Sequence, residues 1–461
     1  MKNILIFGAG RSATALIDYI LDQAKQYGWQ VIVADADKEL AESKVKNHPN
    51  GKAIYIDITK HQLRQKLISE ADVVVSLLPV SLHYLVVHDC IKFRKHVVTA
   101  SYLSNEMYGL EDKVREAAIM MVGEMGLDPG LDHMSAMRKI NNLKSEGYTL
   151  ESFKSFTGGL VAPESIDNPW KYKFTWNPKN VVLAGQGTAQ YLKEGRYKYI
   201  PYNRVFRQTE YILVDGLGDL EAYANRDSLL YKTLYGLDNI PTLIRGTLRY
   251  PGFCRAWDAL VRIGLTDDSY PIIESERMTY SRMVEAYLEG IWAHYPAGYN
   301  VQKRLADFLR IDHNDEILRK LEWLGLFEEE KIELKNASPA QILLKLLLRK
   351  WSMQPDDRDM VVMQHEFIYS KKGVRRKATD TLVMKGEDSR RTAMAKLVGL
   401  PIGVFVKLIM LGKINTVGVH IPTIPAIYEP VLHELEQYGV CFKEKVETLN
   451  DNNTKKPGAD T

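Results

Sequence analysis

Along the first third of the chain, short apolar runs alternate with segments whose apolar residues recur every three or four positions. Lys2–Gly8, Gln30–Ala34, Lys52–Ile58, Asp72–Leu78, His96–Ala100 and Ile119–Met125 read as six strands. Ala13–Ala24 reads as an amphipathic helix, and helical patterns lie between most of the other strands, as parallel pairing requires. The alternation predicts a Rossmann-type doubly wound parallel sheet over 1–130. Many aromatics and glycines then mark an α+β domain with a broad sheet, beginning at 131–278. Over 279–355 the apolar spacing turns helical (Met283, Ala286, Tyr287; Ile342, Leu343, Leu346), which predicts a small all-helical insertion. Asp359–Tyr369 and Val374–Met384 alternate on either side of Lys371-Lys372-Gly373. They predict a hairpin that returns to the α+β domain over 356–390. A helix over Thr392–Leu411 opens a segment, 391–449, expected to pack back toward the first domain. The polar tail 450–461 is expected to be disordered. The fold class is α/β.

The junction between the first strand and the first helix carries chemistry. Gly8-Ala9-Gly10-Arg11-Ser12-Ala13 is a G-x-G-x-x-A turn, and the second strand ends in Asp35. Strand, glycine turn, helix, strand and acid follow in the order that holds a dinucleotide. Gly8, Gly10, Arg11, Ser12 and Ala13 are candidates for the pyrophosphate, which the free N–H groups of the first helical turn attract. Asp35 is a candidate for the ribose hydroxyls, or else a plain helix cap. Asp57, closing the third strand, is a candidate for the adenine side or an ordinary turn residue.

Composition narrows the classes. The chain has 461 residues and a net charge of only +3, which gives no electrostatic case for nucleic acid. Three widely spaced cysteines, Cys90, Cys254 and Cys441, exclude a disulfide framework. No metal is expected: His133 and His365 lack a spaced partner and read as hydrogen-bonded structural histidines. The first residues run straight into a strand, unlike a secretory signal, and no apolar run approaches the roughly 18 residues that span a bilayer. A cytoplasmic protein without membrane or nucleic-acid partners is expected.

Residues 97–133 are more specific. Val97-Val98-Thr99-Ala100-Ser101-Tyr102 precedes Glu124-Met125-Gly126-Leu127-Asp128-Pro129-Gly130-Leu131-Asp132-His133. Gly158-Gly159-Leu160, Ala162-Pro163-Glu164-Ser165, Asp167-Asn168-Pro169, Lys173-Phe174-Thr175-Trp176, Asn225-Arg226-Asp227-Ser228 and Arg245-Gly246-Thr247-Leu248-Arg249-Tyr250 follow in order. The series resembles the glutamate-forming saccharopine dehydrogenases and the C-terminal module of the aminoadipic semialdehyde synthases. It is strongest over 1–265 and returns over 359–447.

The resemblance implies NAD(P)-dependent oxidation of saccharopine to L-glutamate and 2-aminoadipate 6-semialdehyde, or the reverse, by a homodimer. It implies substrate contacts at Pro79, Ser101, Tyr102, Asp128, Arg226, Thr247, Leu248 and Arg249. Arginines suit a substrate with three carboxylates. Asp128 would hold the substrate amine or pass a proton, unless it caps the following helix; Tyr102 would bond the substrate or assist proton transfer. Thr99, Ala100, Leu127, Asp128 and Pro129 would line the nicotinamide end, with Trp176 and Asn177 touching the cofactor. The fungal members place an arginine just after the second strand and a cysteine where Thr157 stands. Asp35-Ala36-Asp37 here repels a 2′-phosphate, which favours NAD over NADP. Two rivals remain: redox chemistry on another secondary amine such as carboxynorspermidine, and a non-catalytic nucleotide-binding sensor or scaffold.

Overall fold

A computed structural model describes residues 2–225, 227–288 and 299–449, so Arg226, part of the expected helical insertion and the 450–461 tail lie outside the described residues. The chain forms two compact units: 1–150, 234–237 and 367–461 make one, while 151–233 and 238–366 make the other.

In the first unit the apolar runs become β1 (Asn3–Phe7), β2 (Gln30–Asp35), β3 (Gly51–Tyr55), β4 (Val73–Ser76), β5 (His96–Thr99) and β6 (Met120–Val122). They pair in parallel in the order β6-β5-β4-β1-β2-β3. Strands buried on both faces read as continuous apolar runs, and Ile4, Leu5, Ile6 and Phe7 are fully buried. Helices Thr14–Tyr27, Lys38–Val45, His61–Glu70 and Val80–Phe93 connect β1 through β5.

The second unit is built on β7 (Thr149–Val161), β8 (Ala189–Lys193), β9 (Arg196–Ile200), β10 (Thr209–Val214), β11 (Gly218–Ala224), β12 (Thr242–Arg249) and β13 (Asp359–Lys371). The sheet order is β10-β11-β12-β7-β13, with β8 joined to β12 and β9 to β8. β12 runs parallel to β7 but antiparallel to β11. Helices Tyr280–Leu288, Val301–Leu309, Glu316–Leu324 and Pro339–Trp351 occupy the stretch read as an insertion. Their apolar faces share one core with Trp170, Tyr172, Phe174, Phe253 and Trp257.

β13 turns at Lys372-Gly373 into β14 (Val374–Lys385), and β15 (Gly418–His420) and β16 (Lys443–Leu449) follow in the first unit. β15 adds a seventh parallel strand beside β6, where the sequence pattern had shown six. Three residues are too few to display a period. The helix Ala393–Met410, begun by the Thr392 side chain accepting the Ala395 N–H, packs on the helix Thr14–Tyr27. A Cβ at Gly399 would meet the Leu16 backbone nitrogen at 2.6 Å, and one at Gly403 would meet the Tyr19 ring at 2.7 Å. The two glycines let the helices approach closely. By length and composition these 18 residues suffice to cross a membrane, contrary to the expectation that no apolar run approaches that length. The structure buries 78% of this stretch inside the protein.

Candidate active site

At the end of β1 the chain turns through Gly8, whose φ of +101° disfavours any side chain. A Cβ there would also meet the Leu77 carbonyl oxygen at 2.9 Å, whereas one at Gly10 would meet nothing within 4 Å. Exposed Arg11, half-buried Ser12 and buried Ala13 form a single 3-10 turn that leads into the helix Thr14–Tyr27. No side chain caps this start, which leaves its N–H groups to an anion. These features fit a dinucleotide pyrophosphate.

Asp35 is not a helix cap. Its Oδ2 accepts the Ala9 N–H at 2.6 Å and its Oδ1 accepts the Asp37 N–H at 2.8 Å. The capping role falls to Asp37, which accepts the Leu40 N–H at 2.9 Å. Asp35 therefore ties the glycine turn to the end of β2 with its carboxylate half-exposed. Asp57 makes a local turn, accepting the Thr59 hydroxyl at 2.6 Å and its N–H at 3.1 Å. The Thr59 side chain and then its backbone hold the Asp57 carboxyl below the usual carboxylate range.

Ligands of open α/β sheets gather beyond the C-terminal strand ends. There the structure adds a residue that sequence reasoning missed. His83 is buried, with Nδ1 2.8 Å from Ser76 Oγ and Nε2 2.9 Å from Ser101 Oγ. Thr99 Oγ1 lies 3.4 Å from the same Nε2. Burial pushes the imidazole down to about 4, so it is neutral near pH 7, with one nitrogen donating and the other accepting. Its signal was one of two histidines in a mostly apolar helix, legible only once β4 and β5 deliver their terminal hydroxyls to it.

Pro79 is exposed at the start of the helix Val80–Phe93, while Ala100, Ser101 and Tyr102 are half-buried. Tyr102 Oη lies 3.5 Å from Asp128 Oδ1. Leu127 and Pro129 are buried, and Asp128-Pro129 is a cis peptide. Asp128 does not cap the next helix. That helix, Leu131–Ser145, starts two residues later than Pro129 with Gly130 at its N-cap, and Asp132 accepts the Gly130 N–H at 2.6 Å. Glu124 holds the Ser101–Leu103 turn from both ends: its N–H donates to the Ser101 carbonyl at 3.0 Å, and its Oε1 accepts the Leu103 N–H at 3.3 Å. Its Oε2 meets His133 Nε2 at 2.8 Å, and His133 Nδ1 meets Tyr235 Oη at 2.6 Å. His133 is thus hydrogen-bonded within the core. His365 is buried with its ring 5.9 Å from Phe153. Among the described residues no group of three or more His, Cys, Asp or Glu could hold a metal ion.

In the second unit, β12 carries Thr247, Leu248 and Arg249, with Thr247 beside Tyr223 of β11 and Thr157 of β7. Gly158 is required here: a Cβ would meet Leu248 Cβ at 2.8 Å. Arg249 is buried, its guanidinium carbon 5.2, 5.4 and 5.9 Å from the rings of Tyr172, Phe253 and Tyr223. Nη1 donates to the Leu248 carbonyl at 2.9 Å, but Nε is buried with no partner. The Thr157 and Thr175 hydroxyls are also buried without partners. An orphaned buried donor costs roughly 1–3 kcal/mol, more when charged, and a carboxylate would relieve it. Arg245 instead stacks on the Tyr231 ring at 4.1 Å. Asn177 caps the helix Pro178–Leu183, accepting the N–H groups of Lys179 at 3.0 Å and Asn180 at 3.4 Å. Half-buried Trp176 precedes it. Arg226 falls outside the described residues.

A glycine turn on a parallel sheet, with a ring of polar groups at the strand ends, defines a nicotinamide-dinucleotide oxidoreductase fold. Two family models match almost the whole chain: "Saccharopine dehydrogenase NADP binding domain" over residues 4–122 and "Saccharopine dehydrogenase C-terminal domain" over 126–440. The chain belongs to the saccharopine dehydrogenase family. It is 34% identical over 448 residues to the saccharopine dehydrogenase [NADP(+), L-glutamate-forming] of Saccharomyces cerevisiae, covering 96% of this chain and 99% of that one. It is 34% identical over 450 residues to the mitochondrial alpha-aminoadipic semialdehyde synthase of Mus musculus, covering 96% of this chain but only 47% of that protein. The chain therefore spans about half the length of the mammalian relatives. The solved apo saccharopine dehydrogenase (L-Glu forming) from Saccharomyces cerevisiae superposes with a TM-score of 0.87 at 33% identity, over 97% of this chain and 100% of that one.

Proposed function

We propose that the protein interconverts saccharopine with L-glutamate and 2-aminoadipate 6-semialdehyde. In the oxidative direction a bound nicotinamide would supply the hydride acceptor for the C–H beside the secondary amine. Water then adds to the resulting imine and splits it, releasing a proton. The residues supply position and charge. Arg249 binds a substrate carboxylate through its orphaned Nε–H, with Arg226 as a second cation; Asp128 holds the cationic amine; Tyr102, beside Asp128, passes a proton. His83 fixes the Ser101 hydroxyl against the substrate. The buried, incompletely paired Arg249 carries this reading. A polyamine adduct with fewer carboxylates gives that cation less to bind, and an idle scaffold has no reason to bear its cost. Purified protein given saccharopine and dinucleotide is expected to form reduced cofactor and free glutamate in equal amounts. No turnover with either cofactor removes the proposal.

For the cofactor, the matching domain family and the fungal relative are named for NADP. The chain's own residues argue for NAD: Asp35 and Asp37 put two carboxylates at the end of β2, with Ala36 between them. We propose NAD preference on that ground, tested by the ratio of kcat/KM for the two cofactors. A homodimer is part of the same proposal; β10 is a sheet edge that exposes Tyr211 and Leu213, and sedimentation measures the assembly.

A further inference from the structure

A cavity of about 270 Å³ lies between the helix Thr14–Tyr27 and the start of the helix Ala393–Met410. Its volume, near the lower end of ligand pockets, suits a small metabolite. One wall carries Asp18 and Asp22, four residues apart on the same helical face. The helix Ala393–Met410 and the loop before it contribute Lys396 and Arg390. Tyr19 and Tyr438, edge to face with ring centres 5.5 Å apart, supply apolar surface between them.

The charges inside this space are unevenly matched. Arg391 is paired with Glu387 at 3.0 Å and Asp388 at 2.9 Å, and Asp18 with Lys46 at 2.9 Å. Among the described residues, the Arg390 guanidinium and the Lys396 ammonium have no carboxylate partner, and Asp22 has no cation. At the Thr14 edge Lys44 donates to the Thr14 hydroxyl at 2.6 Å, and burial first, then repulsion from Lys46 and Arg390, lowers its pKa against the pull of Asp18. Two unmatched cations and one unmatched anion thus line one partly apolar space. The complementary ligand has two carboxylates and one ammonium on a short aliphatic stem.

We propose that this cavity is a second binding site, separate from the active site, for an acidic α-amino acid. The carboxylates meet Arg390 and Lys396, the ammonium meets Asp22 beside Asp18, and the methylenes lie on Tyr19 and Tyr438. Thr14 lines the cavity and opens the helix that receives the dinucleotide, so occupancy is linked to cofactor binding.

The test is calorimetric titration of the full chain with L-glutamate. The double variant Arg390→Ala/Lys396→Ala is expected to weaken one class of sites by about ten-fold or more, while Arg249→Ala leaves that class intact. Glutarate, lacking the ammonium, and L-norvaline, lacking the second carboxylate, are expected to bind that class at least about ten-fold more weakly. Glutamate binding that Arg249→Ala abolishes and the double variant leaves unchanged overturns the proposal, as does equal binding of glutarate. Turnover of saccharopine by the double variant, measured alongside, reads the proposed activity separately: its absence in the unaltered protein strikes that activity and leaves the cavity result standing.

Discussion

The two units handle their polar groups in opposite ways. In the nucleotide unit the site residues are already paired. Both oxygens of Asp35, both ring nitrogens of His83 and both oxygens of Glu124 are engaged by short bonds within the protein. In the second unit Arg249 Nε and the hydroxyls of Thr157 and Thr175 are buried and unmet. The first arrangement fixes geometry before any ligand arrives. The second stores unmatched hydrogen-bonding capacity that a ligand can satisfy, so stability is given up where binding is gained.

The sharpest way to break this comparison is Arg249→Met, which keeps the bulk and removes the charge. It is expected to cost about 100-fold in kcat/KM for saccharopine while raising the melting temperature, because a buried, partly unpaired charge is lost. Dinucleotide affinity, measured by fluorescence titration, should stay within about two-fold. A melting temperature that falls with activity would mean that the guanidinium is structurally satisfied. In the nucleotide unit the expected change is in preference. Asp35→Ala with Ala36→Arg should shift the NADP to NAD ratio of kcat/KM by about ten-fold or more toward NADP, with some loss of stability from the freed Ala9 N–H. An unchanged ratio contradicts the proposed role of the β2 acids.

Two smaller effects sharpen the same contrast. Gly399→Ala drives a Cβ into the Leu16 backbone and is expected to cost about 1–3 kcal/mol in thermal unfolding, with little change in KM. His83 binds its proton less readily folded, at about 4, than unfolded, near 6.5. Between those values the unfolded chain holds more protons, so stability falls as pH drops through that window. His83→Asn should flatten the fall; an unaltered pH profile would place the acid sensitivity elsewhere.

Much of this architecture was legible beforehand. β1, β4, β5 and β6 lie within the expected runs, the hairpin turns where Lys372-Gly373 indicated, and the helix expected over Thr392–Leu411 spans Ala393–Met410. Local periodicity and turn chemistry specify such elements without tertiary help. Elements fixed by distant partners were not legible. β15 exists because β6 offers an edge, and Glu124, His133 and Tyr235 meet although 102 residues separate the last two. For Asp35 and Asp128 the local alternative, a helix cap, was misplaced by two residues or more, since Asp37 and Asp132 take the N-terminal N–H groups.

The pairing of β15 with β6 has a consequence for biosynthesis. The nucleotide sheet gains its seventh strand from residues 418–420, almost 300 residues after β6. At about 5–20 residues per second, a growing chain spends roughly 15–60 s with that edge open while the whole of 151–366 emerges between. The intervening unit can therefore finish folding on the ribosome before the older one closes, and chaperones guarding nascent chains would meet an exposed β6 rather than an unfolded middle.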